Sequence, residues 1–348
     1  MSIMNNNFVS RIVWLARRVF NIRGLIALSK TRKHIEHITE RPNAPKSHKA
    51  LGDIYAAQKR WIEAIAEYRT AITLGAAEAS ILLSLAKAYL AFGLRDLALN
   101  LLEKRQADIS GNVSYELRNI LSEAQARRSL PLSTFNHNRY FRLKTLADHI
   151  TGLYDRKDVS VLDIGGGDGA LSLFLPDSRY VLAEPTVNGL SVDAFPEKSF
   201  DVVVACHVLE HIPLDERAQF LEKLSMRARD YVILLNPFFQ PDAFTDELLQ
   251  LVIELVNPPW AKEHLQCAVP KIEEMTDFAL TRGYKIRVFP NGSLATTLAF
   301  VFLDHYVILA GRKNELEKIN NFYNALLFNK LTDPHLPTAY LIELYVHG

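Results

Sequence analysis

The sequence predicts an α/β chain in which a doubly wound, Rossmann-like sheet with helices on both faces follows an all-α helical-repeat domain. Three observations carry this. From Tyr140 onward, short β-branched runs alternate with amphipathic helical stretches; the first of these runs ends in the glycine-rich turn VLDIGGGDGALS (161–172); and the segment before it repeats with a period of 34 residues. The 348 residues are 49% hydrophobic and 23% charged, which excludes disordered and fibrous classes and leaves room for two domains with real cores. Two cysteines, Cys206 and Cys267, rule out a disulfide framework, fit a reducing compartment and offer no zinc pattern, so no metal is expected.

The first element is a basic leader, residues 1–42. Residues 1–50 hold ten Lys/Arg against two acids, a net +8, so the rest of a chain of net charge +1 carries −7. Phe8, Ile12, Leu15, Val19, Ile22 and Ile26 recur every three or four residues, the pattern of an amphipathic helix. Arg11, Arg17, Arg18 and Arg23 interrupt every apolar run, which excludes a secretory signal and a bilayer span. Two uses stay open: an interfacial helix on an anionic membrane, with Trp14 and Phe20 in the headgroup zone, or a helix docked on the domain after it. Nucleic-acid binding is disfavoured, because no recognition module follows.

Residues 43–130 come next. An offset of 34 places Leu51 on Leu85, Gly52 on Ala86, Tyr55 on Tyr89 and Ala64 on Ala98. Small residues at Gly52, Ala64, Ala86 and Ala98 let antiparallel helices approach closely, and Tyr55, Trp61, Tyr68 and Tyr89 fill the space between them. Period and positions resemble the tetratricopeptide repeat, which implies a surface for a protein partner or a purely architectural role. Two repeats are too few to close a core, so the leader helix and the segment Val113 to Arg128 are expected to cap them; Arg105, where the first repeat has Ala71, suits a terminal repeat.

Pro131 and the polar run after it place a boundary near residue 135. The expected order is then helix 140–153, strand 160–164, glycine turn, helix 170–175, strand 180–183, strand 201–205, helix 214–226 and strand 231–235. Ligands of such sheets sit at the carboxyl ends of the strands. A P-loop is excluded because Ala170 and Leu171 follow Gly169 in place of Lys and Ser/Thr, and a dinucleotide turn is disfavoured because Gly169 arrives one residue early after Gly165 and Gly167.

The acid-x-G-x-G-x-G pattern of Asp163, Gly165, Gly167 and Gly169 resembles the first motif of class I S-adenosylmethionine-dependent methyltransferases, as do Glu184 in YVLAEP, the run FPEKSFDVVVACHVLEHIP and the strand in RARDYVILLNPFF. The resemblance covers residues 135–348 and implies a seven-stranded sheet with its last strand, AYLIELYVH, antiparallel. It also implies S-adenosylmethionine as cofactor, with Asp163 near the ammonium, bare backbone at Gly165, Gly166, Gly167 and Gly169, Glu184 on the ribose hydroxyls, Asp193 near the adenine amine, and Cys206 and His207 beside the sulfonium.

A methyl acceptor hydroxyl additionally needs a base, and His207 is the first candidate, with His211 next in HVLEHI. Helical insertions are expected at about 237–282 and 293–335. The first contains PPWAKEHLQCAVP, which resembles a lid segment of methyltransferases found with surface-polysaccharide synthesis genes and offers Glu263 and His264 as an alternative acid/base pair. The second is apolar, with His305 and Tyr306 expected in the core. Together these imply O-methylation of a glycan or lipid-linked hydroxyl in the cytoplasm, at the inner face of the membrane. A small-molecule or quinone-type methyltransferase and a non-catalytic repeat scaffold stay open as alternatives.

Overall fold

The computed structural model describes residues 22–104, 114–126, 129–240 and 245–347. The first half of the basic leader, residues 1–21 with Trp14 and Phe20, and also Arg105, lie outside the described residues.

The helical half begins with α1 (Ile22–Glu40), α2 (Pro45–Ala57), α3 (Trp61–Thr73), α4 (Ala79–Phe92) and α5 (Arg95–Lys104), followed by α6 (Ser114–Ala126). Each packs on its chain neighbour, and α6 covers α4 and α5. The small residues work as the 34-residue period implies. A Cβ added at Gly52 would lie 2.7 Å from the Tyr68 ring, and Ala64, Ala86 and Ala98 are fully buried. Tyr55, Tyr68 and Tyr89 are buried between the helices.

The second half holds six strands, β1 (Ser160–Ile164), β2 (Arg179–Ala183), β3 (Phe200–Cys206), β4 (Ala228–Asn236), β5 (Lys285–Asn291) and β6 (Ala339–Tyr345), in the order β2-β1-β3-β4-β6-β5. Strands β1 to β4 are parallel, and β6 runs antiparallel between β4 and β5. Every residue of β1 is buried, as are four of the five in β2, as expected for a sheet covered on both faces. Helices α7 (His137–Gly152) and α9 (Leu214–Arg227) pack on the sheet, and the short α8 (Leu171–Phe174) packs against α7 and α3.

The described residues form six strands rather than seven. Beyond β2, where a further strand would pair, lies repeat helix α3. The Thr70 hydroxyl accepts from Leu182 N at 3.1 Å, and the Thr73 hydroxyl donates to Tyr180 O at 3.0 Å, so two side chains serve β2 backbone groups that a neighbouring strand would otherwise serve. The Arg69 guanidinium donates to the carbonyls of Ser172, in α8, and of Leu175 and Ser178, in the turn after it. This explains why all eight residues from Ala64 to Ala71 are buried, polar ones included. One face of α3 meets α2 and α4, and the other meets the sheet edge.

The two insertions are helical. Residues 237–282 carry α10 (Thr245–Leu255), α11 (Pro259–Cys267) and α12 (Ile272–Arg282); the second carries α13 (Leu294–Leu309) and α14 (Lys313–Phe322). A separate small core of Leu249, Val252, Ala261 and Val269 packs against Leu298 and Val301, joining the two insertions. Tyr306 is half exposed rather than in the core, because the carboxyl-terminal end of α13 runs out beyond its cover.

Candidate active site

The glycine turn leaves the carboxyl end of β1 and opens onto a cavity of about 940 Å³, a size suited to a small-molecule ligand site. Asp163, at the end of β1, is 1% exposed and accepts a hydrogen bond from the Tyr180 hydroxyl at 2.7 Å. A Cβ at Gly166 would lie 2.2 Å from Asp163 Oδ2, so only glycine lets the chain pass over that carboxylate. Gly167 adopts φ +59, with its N–H donating to Glu184 Oε2 at 3.1 Å. The other Glu184 oxygen accepts from Thr186 N and Oγ1 at 3.0 and 2.7 Å. Burial, with the nearby charges of Glu184 and Asp168, pushes Asp163 up to about 7 against the lowering effect of the Tyr180 hydrogen bond.

The loop after Glu184 is tied to the repeats. Asn188 Oδ1 accepts from Glu184 N at 3.1 Å, while Asn188 Nδ2 donates to Leu182 O at 2.9 Å and to Glu67 Oε1 at 2.8 Å. Behind Glu67, His48 Nδ1 meets Oε2 at 2.7 Å and His48 Nε2 meets Pro42 O at 2.8 Å. Burial opposes a charge on His48, but the attraction of Glu67 and the two hydrogen bonds outweigh it and raise His48 above its ordinary value. The Tyr55 hydroxyl also donates to Val187 O.

Across the cleft, β3 ends in Cys206 and His207. Cys206 lines the cavity, and burial pushes its thiol up to about 12, which leaves it unreactive. His207 sits at φ +57, a left-handed conformation rare outside glycine, with its N–H donating to Leu235 O at 2.8 Å. The strand end is therefore pinned and the imidazole faces the cavity. His207 Nδ1 lies 3.0 Å from Glu210 Oε1, close enough for charge attraction but out of line for a hydrogen bond, so this oxygen has no hydrogen-bond partner. Glu210 is fully buried, and its other oxygen accepts from Asn236 Nδ2. Burial favours its neutral form, yet the attraction of His207 and His264 prevails and takes it down to about 2. Burial lowers His207 in turn, against the pull of Glu210.

His211 and His264 complete the group. Both line the cavity, with ring centroids 4.9 Å apart in an edge-to-face arrangement. His264 comes from α11, is 6% exposed and has Nε2 3.8 Å from Glu210 Oε1; burial takes it down to about 4. Trp260 packs over its ring at 5.2 Å.

Four expected site residues do not line the cavity; Glu184 is one, its two oxygens bonded to Gly167 and Thr186. Asp193 is exposed on a short turn, paired with Lys223 Nζ at 2.7 Å and near Arg227, so the structure does not bring it to the glycine turn; two neighbouring cations hold it on the outer surface. Gly169 turns away from the cleft, and its Cβ would lie 2.4 Å from Ala66 Cβ, so it is small because repeat helix α3 passes there. Glu263 is more than half exposed and reaches the cluster only through His211 Nδ1, at 2.9 Å. Conversely, Arg142 on α7 lines the cavity and its charge reaches Cys206 and His207, though a cation in mid-helix carries no spacing pattern that would have singled it out.

Fold and site together define a doubly wound α/β chain with a ligand cleft at its strand ends and a helical-repeat module on its sheet edge. A family model described as TPR repeat matches residues 52–93. No curated protein matches the chain in sequence. Solved structures similar to part of this chain include a SAM dependent methyltransferase from Archaeoglobus fulgidus, at 12% identity and TM-score 0.35, covering 58% of this chain and 94% of that one. Magnesium protoporphyrin IX methyltransferase from Synechocystis PCC 6803 with bound SAH is similar at 12% identity and TM-score 0.36, covering 62% and 88%. The cyclopropane synthase MmaA2 from Mycobacterium tuberculosis is similar at 16% identity and TM-score 0.39, covering 58% and 83%.

Proposed function

We propose that the chain is an S-adenosylmethionine-dependent methyltransferase that methylates a hydroxyl of a glycolipid-type acceptor. One observation carries this reading: Asp163 and Glu184, at the ends of neighbouring parallel strands, bracket a bare glycine turn that opens onto the same cavity as His207, His211 and His264. Asp163 takes the cofactor's ammonium, Glu184 its ribose hydroxyls, and the uncovered backbone of the turn lies against the ribose.

In the reaction, the acceptor oxygen attacks the methyl carbon in line with the departing sulfur. When bound, the cofactor would supply the activated methyl group, the S–CH₃ electron pair returning to sulfur as the O–CH₃ bond forms. The hydroxyl proton passes to His207, whose ring lines the cavity and has the buried Glu210 carboxylate 3.0 Å from Nδ1 to offset the charge it gains. Alignment of the two reactants supplies up to ~7–11 kcal/mol of the barrier reduction.

The other wall supports an acceptor with an apolar part. Leu249 and Val252 of α10 and Leu298 and Val301 of α13 line the cavity, which suits an acceptor with an apolar body. At its far end α13 exposes Tyr306, Ile308 and Leu309, an apolar rim from which a lipid-borne acceptor can enter. The same wall also suits a small quinone-type acceptor. Among the described residues no helix is long and apolar enough to cross a membrane, so contact with a lipid surface would be peripheral, through this rim and the basic leader.

Radiolabelled methyl transfer from S-adenosylmethionine into fractionated cell extract tests the reading. Label in the organic phase that mild acid releases as a methylated sugar is expected. Label that stays with a neutral lipid moves the assignment to the quinone type. Absence of both transfer and calorimetric S-adenosylmethionine binding overturns the enzyme reading.

A further inference from the structure

We propose that Glu210, His211 and His264 form a divalent transition-metal site, of the zinc type, in the acceptor half of the cleft. Each residue offers one ligand atom, and these atoms lie within 4.8 Å of one another. Side-chain rotations of a few tenths of an ångström to about an ångström bring them to the ~2.0–2.2 Å distances of zinc–nitrogen and zinc–carboxylate bonds.

A second, independent observation points to a missing ligand. Glu210 is wholly buried, Asn236 occupies its Oε2, and Oε1 is left without a hydrogen-bond partner although imidazole nitrogens of His207 and His264 stand 3.0 and 3.8 Å away. His211 Nδ1 is likewise without an aligned hydrogen bond, although the more exposed Glu263 Oε2 stands 2.9 Å away. Buried carboxylate oxygens are almost always satisfied, and leaving one open costs free energy that a bound cation would recover. Rings arranged around one oxygen without donating to it are placed as neutral ligands sharing an ion would be.

The donor set narrows the ion to a divalent transition metal such as zinc. Two imidazoles and one carboxylate form the ligand group of catalytic zinc sites, with a fourth position left for water or substrate, whereas magnesium and calcium prefer oxygen throughout. The site draws its ligands from two places: Glu210 and His211 from the turn after β3, and His264 from α11 of the first insertion. An ion here would therefore fasten the insertion to the sheet. It opens on the cavity beside His207, so its free position would take the acceptor hydroxyl and lower its pKa, leaving His207 less work as base. That catalytic role rests on the methyltransferase reading; the binding does not.

The test uses full-length protein stripped by chelator and titrated with ZnCl₂ in competition with a chromophoric chelator, with S-adenosylmethionine calorimetry on the same samples. CoCl₂ substitution supplies a spectroscopic check of the ligand set. One equivalent of zinc is expected, with visible cobalt bands of four- or five-coordinate intensity, and at least tenfold weaker binding in both Glu210→Gln and His264→Asn, while both variants keep S-adenosylmethionine affinity within threefold. No zinc binding by the wild-type chain overturns the proposal, as does binding unchanged in both variants. Because the cofactor titration is read separately, loss of the metal site and loss of the methyltransferase reading give different results.

Discussion

Two glutamates in this chain have no exposed surface, and each stands among histidines, yet their surroundings differ. Glu67, between the repeats and the sheet, has both oxygens bonded, one to His48 and one to Asn188, and His48 in turn bonds Pro42 O. Glu210, in the cleft, has one oxygen bonded to Asn236 and one with no hydrogen-bond partner beside His207 and His264. The closed network raises its histidine, and the open one leaves its histidines lowered. A fully satisfied buried network fixes a fold, whereas an unsatisfied one spends stability for something that binds there.

The largest effect separates the two. Glu67→Ala strands the His48 charge and the Asn188 amide in the interface and is expected to lower unfolding stability by ~3–5 kcal/mol, read from urea denaturation. Glu210→Gln retains the Asn236 contact and strands no charge, so although His207 and His264 favour the carboxylate, its loss without metal should be smaller than that of Glu67→Ala. Equal losses in the two variants would erase the distinction between a structural and a functional pair.

The glycine turn repeats the contrast on a smaller scale. At Gly169, with φ +80, a methyl group meets Ala66 of the repeat helix, so Gly169→Ala should cost ~2–4 kcal/mol by adding a clash to the left-handed backbone. At Gly167, with φ +59, a methyl group meets nothing within 4 Å, so Gly167→Ala should cost only the ~1–2 kcal/mol of backbone strain. Its methyl would instead project where the cofactor is to lie, and S-adenosylmethionine affinity should fall at least tenfold by calorimetry. If the two variants exchange phenotypes, the assignment of Gly167 to the ligand and Gly169 to the repeats is wrong.

This contrast also marks how far the sequence could be read. The strands, the glycine turn and the 34-residue period were legible because each is a local pattern whose meaning does not depend on a distant residue. The docking of α3 on β2 was not. Glu67, Arg69 and Thr70 read as the polar face of an amphipathic helix, and only the folded chain shows that face buried against Asn188, Ser172 and Leu182. In the cleft, His207, His211 and His264 were visible as residue types, but their convergence on one unpaired oxygen joins positions more than fifty residues apart. Asp193 shows the reverse: the family resemblance offered it as a ligand despite its short spacing, and Lys223 and Arg227, thirty or more residues on, pair with it at the surface.

The smallest effect is a pair of titrations in different windows. Asp163 stands at about 7 in the folded chain against an ordinary 3.8, so its neutral form is the one folding favours; the stability it contributes is full below pH 4 and is lost as pH rises toward 7. Binding runs the other way, because the cofactor's ammonium needs the carboxylate. S-adenosylmethionine affinity should therefore rise about tenfold between pH 6 and pH 8, and the rise should vanish in Asp163→Asn. His48 is raised above 6.5 by Glu67, so its contribution is full below pH 6.5 and is lost only as pH climbs through its higher folded value. Thermal denaturation of His48→Gln should accordingly converge with wild type at alkaline pH and diverge from it below neutrality, with its cofactor affinity following the wild-type pH curve. A His48→Gln variant that altered the pH curve of binding would mean that the repeats reach the cofactor carboxylates electrostatically, beyond holding the Asn188 loop in place.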